Sequence, residues 1–244
     1  MISSLLDISV GARGSRLSKV QVDEVHKELS QFYPHVTFSP IWITTKGDQD
    51  KTTSLKMLEK SNFFTDEIDS RQLKGEFRIS IHSAKDLPDP LYPGLEIIAI
   101  TKGLDASDSL VVREFPIRFG SRIGISSQRR EDFLKKWRRD LECVDIRGTI
   151  DERIKLLDDG IIDGVVVAEA ALLRLELTHR PRLHLDIDTA QMQGRLAIIA
   201  RKDDHEIKHS FKQVHYDART SSSHTTFVGN RNTLSRVETT TSGR

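Results

Sequence analysis

The sequence has 244 residues, of which 37% are apolar and 30% charged, the balance of a soluble chain with one large or two modest domains. Lysine and arginine total 37 against 36 acidic residues, so a net charge of +1 excludes a global field that would hold nucleic acid. A single cysteine excludes an intrachain disulfide, and no apolar run approaches the roughly 20 residues that cross a bilayer. The N-terminus lacks the pattern of a signal peptide. We therefore expect a cytoplasmic protein without nucleic-acid or membrane partners. We also expect a monomer, although composition and charge do not decide the oligomeric state.

Short β-branched runs alternate with segments of helical period in the first hundred residues. The first helical segment, residues 15–32, carries a broad apolar stripe formed by Leu17, Val20, Val22, Val25 and Leu29. The β-branched runs predict strands at 7–12, 36–45, 77–83 and 95–101. Alternation of this kind is typical of α/β layers.

A second series of the same kind follows. It predicts helices at 127–138 and 149–158, the latter stopped by Gly160, and strands at 109–114, 122–126, 141–147 and 163–170. A late strand at 195–201 can return to the first sheet. The fold class predicted is α/β, with largely parallel, buried sheets in two hinged lobes. Lobe 1 is predicted to comprise residues 1–101 plus 193–210, and lobe 2 residues 102–192.

The end of the chain differs in composition. Residues 220–244 contain 12 serines or threonines among 25 residues and few apolar side chains. Such a segment cannot bury enough surface to offset its chain entropy. We therefore expect residues 211–244 to form a polar, disordered tail, which leaves no room for a third folded domain.

Five polar motifs lie at junctions between predicted strands and helices: GARGS, HSAKDLP, GISSQRR, IRGTIDER and QGRLA. Ligands of open α/β folds bind beyond the carboxyl ends of strands, where helix N-termini present free N–H groups. The motifs bring a set of cations and hydroxyls to such places: Arg13, Lys85, Arg129, Arg130, Arg147 and Arg153, with Ser15, Ser126 and Ser127. Guanidinium groups match carboxylates, so the set suits a small ligand with several carboxylates. Asp86 is a lone carboxylate among these cations.

Each motif also has a simpler interpretation. Arg129 and Arg130 could be a solvated helix face, and Lys85 with Asp86 could be a surface ion pair. Arg147 and Arg153 could pair locally with nearby aspartates, Asp145 and Asp151. His82 fits a packed strand end, and no His, Cys or Asp cluster has the spacing of a metal site. The common placement of the motifs at strand ends favours a binding site.

Read in order, the segments GARGSRLS, FFTDEID, ISIHSAKDLP, RIGISSQRR, DIRGTIDERIKLLDDGIIDGVVVAEAALLRL and AQMQGRLAI resemble porphobilinogen deaminase, also called hydroxymethylbilane synthase. The resemblance runs from about residue 8 to 204. It implies two hinged lobes of the periplasmic-binding-protein-like type. It also implies a transferase of haem biosynthesis that joins four porphobilinogen molecules, releases ammonia at each coupling and uses a dipyrromethane cofactor.

The resemblance also implies roles for individual residues. Asp86 matches the catalytic carboxylate. The predicted ligands of cofactor and substrate carboxylates are Arg13, Ser15, Lys85, Ser126, Ser127, Arg129, Arg130, Arg147 and Arg153. We expect the family's C-terminal, cofactor-anchoring domain and its cysteine to be absent. Cys143 is not expected to replace that cysteine, because its strand is predicted to be buried on both faces.

Three functions remain open at this stage. The first is a porphobilinogen deaminase whose activity depends on holding the cofactor without the family's cysteine. The second is a non-catalytic two-lobed binding module for a pyrrole polycarboxylate, since hinged α/β pairs often serve as binders. The third, nucleic-acid binding, is disfavoured by the net charge.

Overall fold

The protein, in a computed structural model that describes residues 6–58 and 61–216, contains two five-stranded sheets. The first sheet consists of β1 (Leu6–Arg13), β2 (Val36–Ile43), β3 (Ile79–Ser83), β4 (Leu95–Ile100) and β10 (Leu196–Arg201). Its strand order is β2-β1-β3-β10-β4. β1 is parallel to β2 and β3, whereas β10 is antiparallel to β3 and β4. The late strand therefore returns to the first sheet, as its sequence predicts.

The second sheet consists of β5 (Asp108–Val112), β6 (Arg122–Ile125), β7 (Glu142–Asp145), β8 (Gly164–Ala168) and β9 (Arg182–Leu185). Its strand order is β7-β6-β8-β5-β9, with β6 parallel to β7 and β8 and β5 antiparallel to β8 and β9. The prediction of largely parallel sheets is therefore wrong for half of the pairings. The antiparallel pairings arise at β5 and β10, the two strands that the chain enters when it crosses between sheets. Below, lobe 1 and lobe 2 mean the first and second sheets with the helices packed on them.

Seven helices cover the sheets: α1 (Arg16–Ser30), α2 (Lys46–Gln49), α3 (Asp66–Leu73), α4 (Gln128–Trp137), α5 (Ile150–Asp158), α6 (Glu169–Arg174) and α7 (His205–Ser210) within the described residues. The apolar stripe predicted for α1 packs on the first sheet, where Val22, Val25 and Leu29 are fully buried. Leu17 and Val20 are only half-buried. In lobe 2, apolar side chains form one cluster on each face of the sheet. No helix in this part of the chain is long and apolar enough to cross a bilayer.

Two sequence-based boundaries need correction. The strand predicted at 163–170 ends at Ala168, and residues 169 and 170 begin α6. The predicted tail at 211–244 starts too early, because Phe211 and Val214 are buried in the core of lobe 1. The Tyr216 N–H also donates to the Ile100 carbonyl at 2.8 Å. The remainder of the predicted tail lies outside the described residues, and the predicted lobe boundaries remain predictions.

Ion pairs connect the two lobes. Lys56, in a 3-10 turn of lobe 1, lies 2.6 Å from the Glu131 carboxylate at the start of α4. Three more pairs join the lobes at 2.7 to 3.1 Å: Arg174 with Glu24, Lys51 with Glu152, and Arg16 with Asp151. The carboxyl ends of the parallel strands therefore face each other across a connected interface.

Candidate functional site

The predicted site residues follow the carboxyl ends of parallel strands in both lobes. Arg13 is the last residue of β1, and Lys85 and Asp86 lie in the 3-10 turn Ala84–Asp86 directly after β3. In lobe 2, Ser126 and Ser127 follow β6, and Arg147 follows β7. Because parallel strands end at the same edge of a sheet, each lobe gathers its cations at one edge.

Arg129 and Arg130 both contact one buried carboxylate, that of Asp108. The Arg129 Nη2 donates to Asp108 Oδ2 at 2.7 Å, and the Arg130 Nη2 donates to Oδ1 at 2.6 Å. Arg130 also donates to the Val166 carbonyl at 3.0 Å, and its side chain is 6% exposed. The interpretation of this pair as a solvated helix face is therefore wrong.

Asp108 is a residue that the sequence analysis missed. Its side chain is fully buried, and burial alone would raise the pKa of its carboxyl. The guanidinium of Arg130, followed by that of Arg129, outweighs burial and lowers the pKa of Asp108 to about 2. A signal existed in the sequence, because an aspartate that opens a buried apolar strand must find a cationic partner.

Arg147 reaches from lobe 2 into lobe 1. Its Nη2 donates to the carbonyls of Gly47 at 3.1 Å and Asp50 at 2.6 Å. The guanidinium lies over the rings of Phe63 and Phe64, at 5.5 and 5.8 Å from their centroids. Burial lowers the pKa of Arg147 from its ordinary value. The alternative pairing of Arg147 with Asp145 is therefore not formed.

Arg13 lies on the same aromatic surface, with its guanidinium 4.4 Å from the centroid of Phe64. Its Nε donates to Asp48 Oδ1 at 3.0 Å, and its Nη2 contacts the same oxygen. Asp48 belongs to the capping box of α2, in which Thr45 also takes part. Asp48 thereby orients Arg13 from within the same lobe, which the sequence analysis did not anticipate.

Arg153 enters the site from the first turn of α5. Thr149 begins that helix with a capping box shared with Glu152, which fixes the direction of the turn. The Arg153 Nη1 donates to the Ser126 hydroxyl at 2.7 Å, and its Nε donates to the Gly148 carbonyl at 2.9 Å. Burial, and then the charges of Arg130 and Arg147, lower the pKa of Arg153 to about 10. Arg153 also does not pair with Asp151, which contacts Arg16 instead.

Lys85 and Asp86 face different surroundings. The Lys85 Nζ donates to the side-chain oxygen of Gln193 at 3.2 Å, and burial lowers the pKa of this lysine. Asp86 is exposed, and its carboxylate forms no hydrogen bond or ion pair with any other described residue. Its charge nevertheless acts on Lys85 and Arg153. Asp86 is therefore an available carboxylate at the margin of a cationic cluster, not the half of a local surface ion pair.

The cations of both lobes form one cluster. The pKa of Arg153 responds to the charges of Arg130, Arg147 and Arg13, and the pKa of Lys85 responds to Arg130 and Arg153. The predicted serines divide into two kinds. Ser126 accepts from Arg153, whereas Ser15 and Ser127 are the N-cap residues of α1 and α4. Ser15 accepts from the Ser18 N–H at 3.2 Å.

Three buried nitrogens of this region lack a hydrogen-bond partner among the described residues: the Nε atoms of Arg130 and Arg147 and the Nε2 of His82. His82 is 7% exposed at the end of β3, and burial, then the charge of Arg13, lowers its pKa to about 4. It is therefore neutral at pH 7. The unpartnered N–H groups of Arg130 and Arg147 in a cationic cluster fit a ligand that carries several carboxylates.

Solved structures that resemble this protein have two-lobed folds of the periplasmic-binding-protein type. The methionine binding protein MetQ matches with a TM-score of 0.54 at 13% identity, covering 86% of this chain and 91% of that one. CbnR, a LysR family transcriptional regulator, matches with a TM-score of 0.53 at 14% identity, covering 87% of this chain and 71% of that one. At such identities the likeness shows the fold alone.

Sequence comparisons are more specific. The family model for the dipyromethane cofactor binding domain of porphobilinogen deaminase matches residues 8–209. A probable porphobilinogen deaminase from Chlamydia pneumoniae is 38% identical over 212 residues, covering 85% of this chain and 90% of the relative. The porphobilinogen deaminase of Deinococcus radiodurans is 37% identical over 207 residues, covering 81% of this chain and 67% of the relative. The chain therefore belongs to the porphobilinogen deaminase family and carries the domain of that family that binds the dipyrromethane cofactor.

Proposed function

We propose that this chain is an active porphobilinogen deaminase, which joins four porphobilinogen molecules head to tail and releases one ammonia at each coupling. The observation that carries the proposal is Asp86, an exposed carboxylate without a hydrogen-bond partner among the described residues, next to a cluster of cations that includes the buried Arg130 and Arg153. A site that only binds carboxylates has no use for a free carboxylate, which repels its ligand. A site in which a positive charge develops on the substrate during the reaction does need such a carboxylate.

The cations bind and orient the carboxylates of substrate and cofactor. Each pyrrole unit carries two carboxylates, and the Nε–H groups of Arg130 and Arg147 are donors without an acceptor in the described chain. Arg13 and Arg147 place their guanidiniums against Phe64 and Phe63, which gives the site an aromatic wall beside its charges. This donor set fits dipyrromethane, which when bound supplies the pyrrole ring to which the substrate units are joined.

Asp86 moves the protons. The exposed carboxylate first takes up a proton from solvent and then donates it to the amino nitrogen of the bound porphobilinogen, so that the carbon–nitrogen bond breaks and ammonia leaves. The carboxylate that results stabilises the positive charge left on the substrate ring. After the new carbon–carbon bond forms, a proton must leave the attacked ring carbon, and Asp86 accepts it. The arginines hold the rings in place while this carboxyl returns to its starting state.

Incubation with porphobilinogen tests the proposal directly. We expect the wild-type chain to release ammonia and to form hydroxymethylbilane, measured as uroporphyrin after cyclisation and oxidation. Asp86→Ala should lower turnover by about 10²- to 10⁴-fold, the usual contribution of a general acid–base group, and leave porphobilinogen binding measurable by calorimetry. Asp23→Ala, which removes an exposed carboxylate from α1, is the matched control and should retain full turnover.

Two results would contradict the proposal. Equal turnover in the wild type and Asp86→Ala would remove the catalytic assignment. Binding of porphobilinogen by the wild type without any turnover would instead support a non-catalytic binding module for a pyrrole polycarboxylate.

A further inference from the structure

The turn that precedes β10 places Gln193 between two residues with positive φ. Met192 has φ 63°, a left-handed conformation that is unfavourable for any residue other than glycine. Gly194 has φ 84°. A Cβ atom at Gly194 would lie 2.8 Å from the Leu104 carbonyl oxygen and 3.0 Å from that of Asp105, so only glycine fits there. A strained residue on one side and an obligatory glycine on the other indicate that the position of the Gln193 side chain matters.

The Gln193 amide is buried and its orientation is fixed by its partners. Gln193 is 3% exposed. Its Nε2 donates to the Ala106 carbonyl at 2.7 Å and to Asp108 Oδ1 at 3.0 Å. A weaker contact at 3.3 Å joins it to the Ser107 carbonyl. Because all three of these groups are acceptors, only the NH₂ end of the amide can face them. The Oε1 therefore has to face the opposite side, where Lys85 lies.

Lys85 depends on that oxygen. The Gln193 Oε1 is the acceptor for the Lys85 Nζ within the described chain, at 3.2 Å. An ammonium has three N–H donors, so one is held by Gln193 and two are left for a ligand. Gln193 also joins the lobes, because Lys85 follows β3 of lobe 1 and Asp108 begins β5 of lobe 2.

We propose that Gln193 is a positioning residue that orients the Lys85 ammonium toward ligand carboxylates and couples it to the Asp108 pair of arginines. A neutral acceptor suits this task. It holds one N–H of the lysine without cancelling the charge, whereas a carboxylate in its place would pair with Lys85 and repel Asp108. The inference rests on the proposed function only in taking Lys85 as a ligand-binding residue.

An NMR titration of the lysine side chains tests the contact itself without any ligand. The 13Cε signal of Lys85, assigned by its loss in Lys85→Arg, reports the pKa of this ammonium. In Gln193→Met the protonated amine loses its acceptor, so the titration midpoint of Lys85 should fall by about one pH unit. Gln191→Met, an exposed position two residues earlier, is the matched control and should leave the midpoint unchanged. An unchanged midpoint in Gln193→Met would overturn the proposal.

Binding of porphobilinogen, measured by calorimetry, tests the consequence. Gln193→Met should weaken binding by about tenfold, the effect of one charge-assisted contact, but should have no further effect in a Lys85→Met background. Equal weakening in both backgrounds would mean that Gln193 does not act through Lys85. If the wild type does not bind porphobilinogen, the proposed function fails, while the titration still decides the role of Gln193. If Gln193→Met does not fold, Gln193→Asn, whose amide is one methylene too short to reach Lys85, gives the same titration test.

Discussion

Asp108 makes the arginine pair sensitive to acid. Its folded pKa of about 2 lies below the ordinary value of about 3.9, so its pairing with Arg129 and Arg130 stabilises the fold above pH 4. That stabilisation is lost as the pH falls from 4 through 2. A shift of this size corresponds to about 2 to 3 kcal/mol of unfolding free energy.

Asp108→Asn should therefore lower the free energy of unfolding at pH 7 by about 2 to 3 kcal/mol. The difference from the wild type should shrink as the pH is lowered from 4 to 2, because the wild-type carboxyl then also becomes neutral. Urea unfolding at pH 7 and at pH 3 measures both values. Asp186→Asn, which changes an exposed aspartate, is the control and should show no pH-dependent difference. A constant difference at both pH values would mean that the pairing is not the cause.

The sequence predicts which cations line the candidate site but not which residues they contact. Arg13, Lys85 and Arg130 could be predicted as a group because each lies at or shortly after the end of a strand that is visible as a hydrophobic pattern. Asp108 could be noticed only as a charged residue at the start of an apolar strand, and Gln193 not at all, because their partners lie 22 and 108 residues away in the chain. Local pattern carries no information about such pairings.

At the scale of elements, the strands with clear apolar patterns were predictable and the short polar ones were not. β1 and β10 have long buried runs that predict strands. β9 has the sequence RLHL with a single buried residue, so nothing in its pattern separates it from a loop. Residues 141–147 were predicted as a strand buried on both faces, but β7 lies at the edge of its sheet and is only partly buried. An edge position depends on the arrangement of the whole sheet, which periodicity does not report.

The position of β7 bears on Cys143, the only cysteine in the sequence. Its side chain is half-buried against the cluster that contains Leu134 and Phe133. Burial, and then the charge of Glu131, raises the pKa of the thiol, which lowers its reactivity at pH 7. Cys143 is therefore a poor nucleophile even though it is not fully buried.

We expect that any dipyrromethane bound to this chain is not attached to Cys143. Mass spectrometry of the denatured protein after incubation with porphobilinogen should show the same Cys143 peptide mass as the untreated protein. Cys143→Ser should also retain the wild-type turnover. A Cys143 peptide heavier by one dipyrromethane would contradict this assignment.

At the scale of the whole molecule, the pairs that connect the lobes differ in how much they stabilise the connected arrangement. Lys56 and Glu131 are 17% and 12% exposed, whereas Lys51 and Glu152 are 46% and 52% exposed. Exposed pairs contribute about 0 to 1 kcal/mol because water and salt screen them, whereas removing one partner of a pair shielded from water costs more, because the remaining charge is solvated less well.

Lys56→Met should therefore separate the lobes more than Lys51→Met does. Small-angle scattering should give a larger radius of gyration for Lys56→Met than for the wild type, and thermal unfolding should begin at a lower temperature. Lys51→Met, the matched control on the same segment, should resemble the wild type closely in both measurements. Any small difference in its unfolding temperature should disappear in high salt. Equal scattering curves for the two variants would show that the Lys56 pair does not hold the lobes together.

The cations of the site already hold acceptors that the chain itself supplies: Asp48 for Arg13, Asp108 for Arg129 and Arg130, main-chain carbonyls for Arg147, and Gln193 for Lys85. A carboxylate that enters the site therefore meets guanidiniums that are already held in place, and it can use the N–H groups that the chain leaves open, such as the Nε of Arg130 and Arg147. When it departs, each cation keeps the oxygen that the chain supplies and is not left as a buried, bare charge. Under the proposed function, a growing oligomer can thus shift by one ring at a time past arginines whose positions do not depend on the ligand.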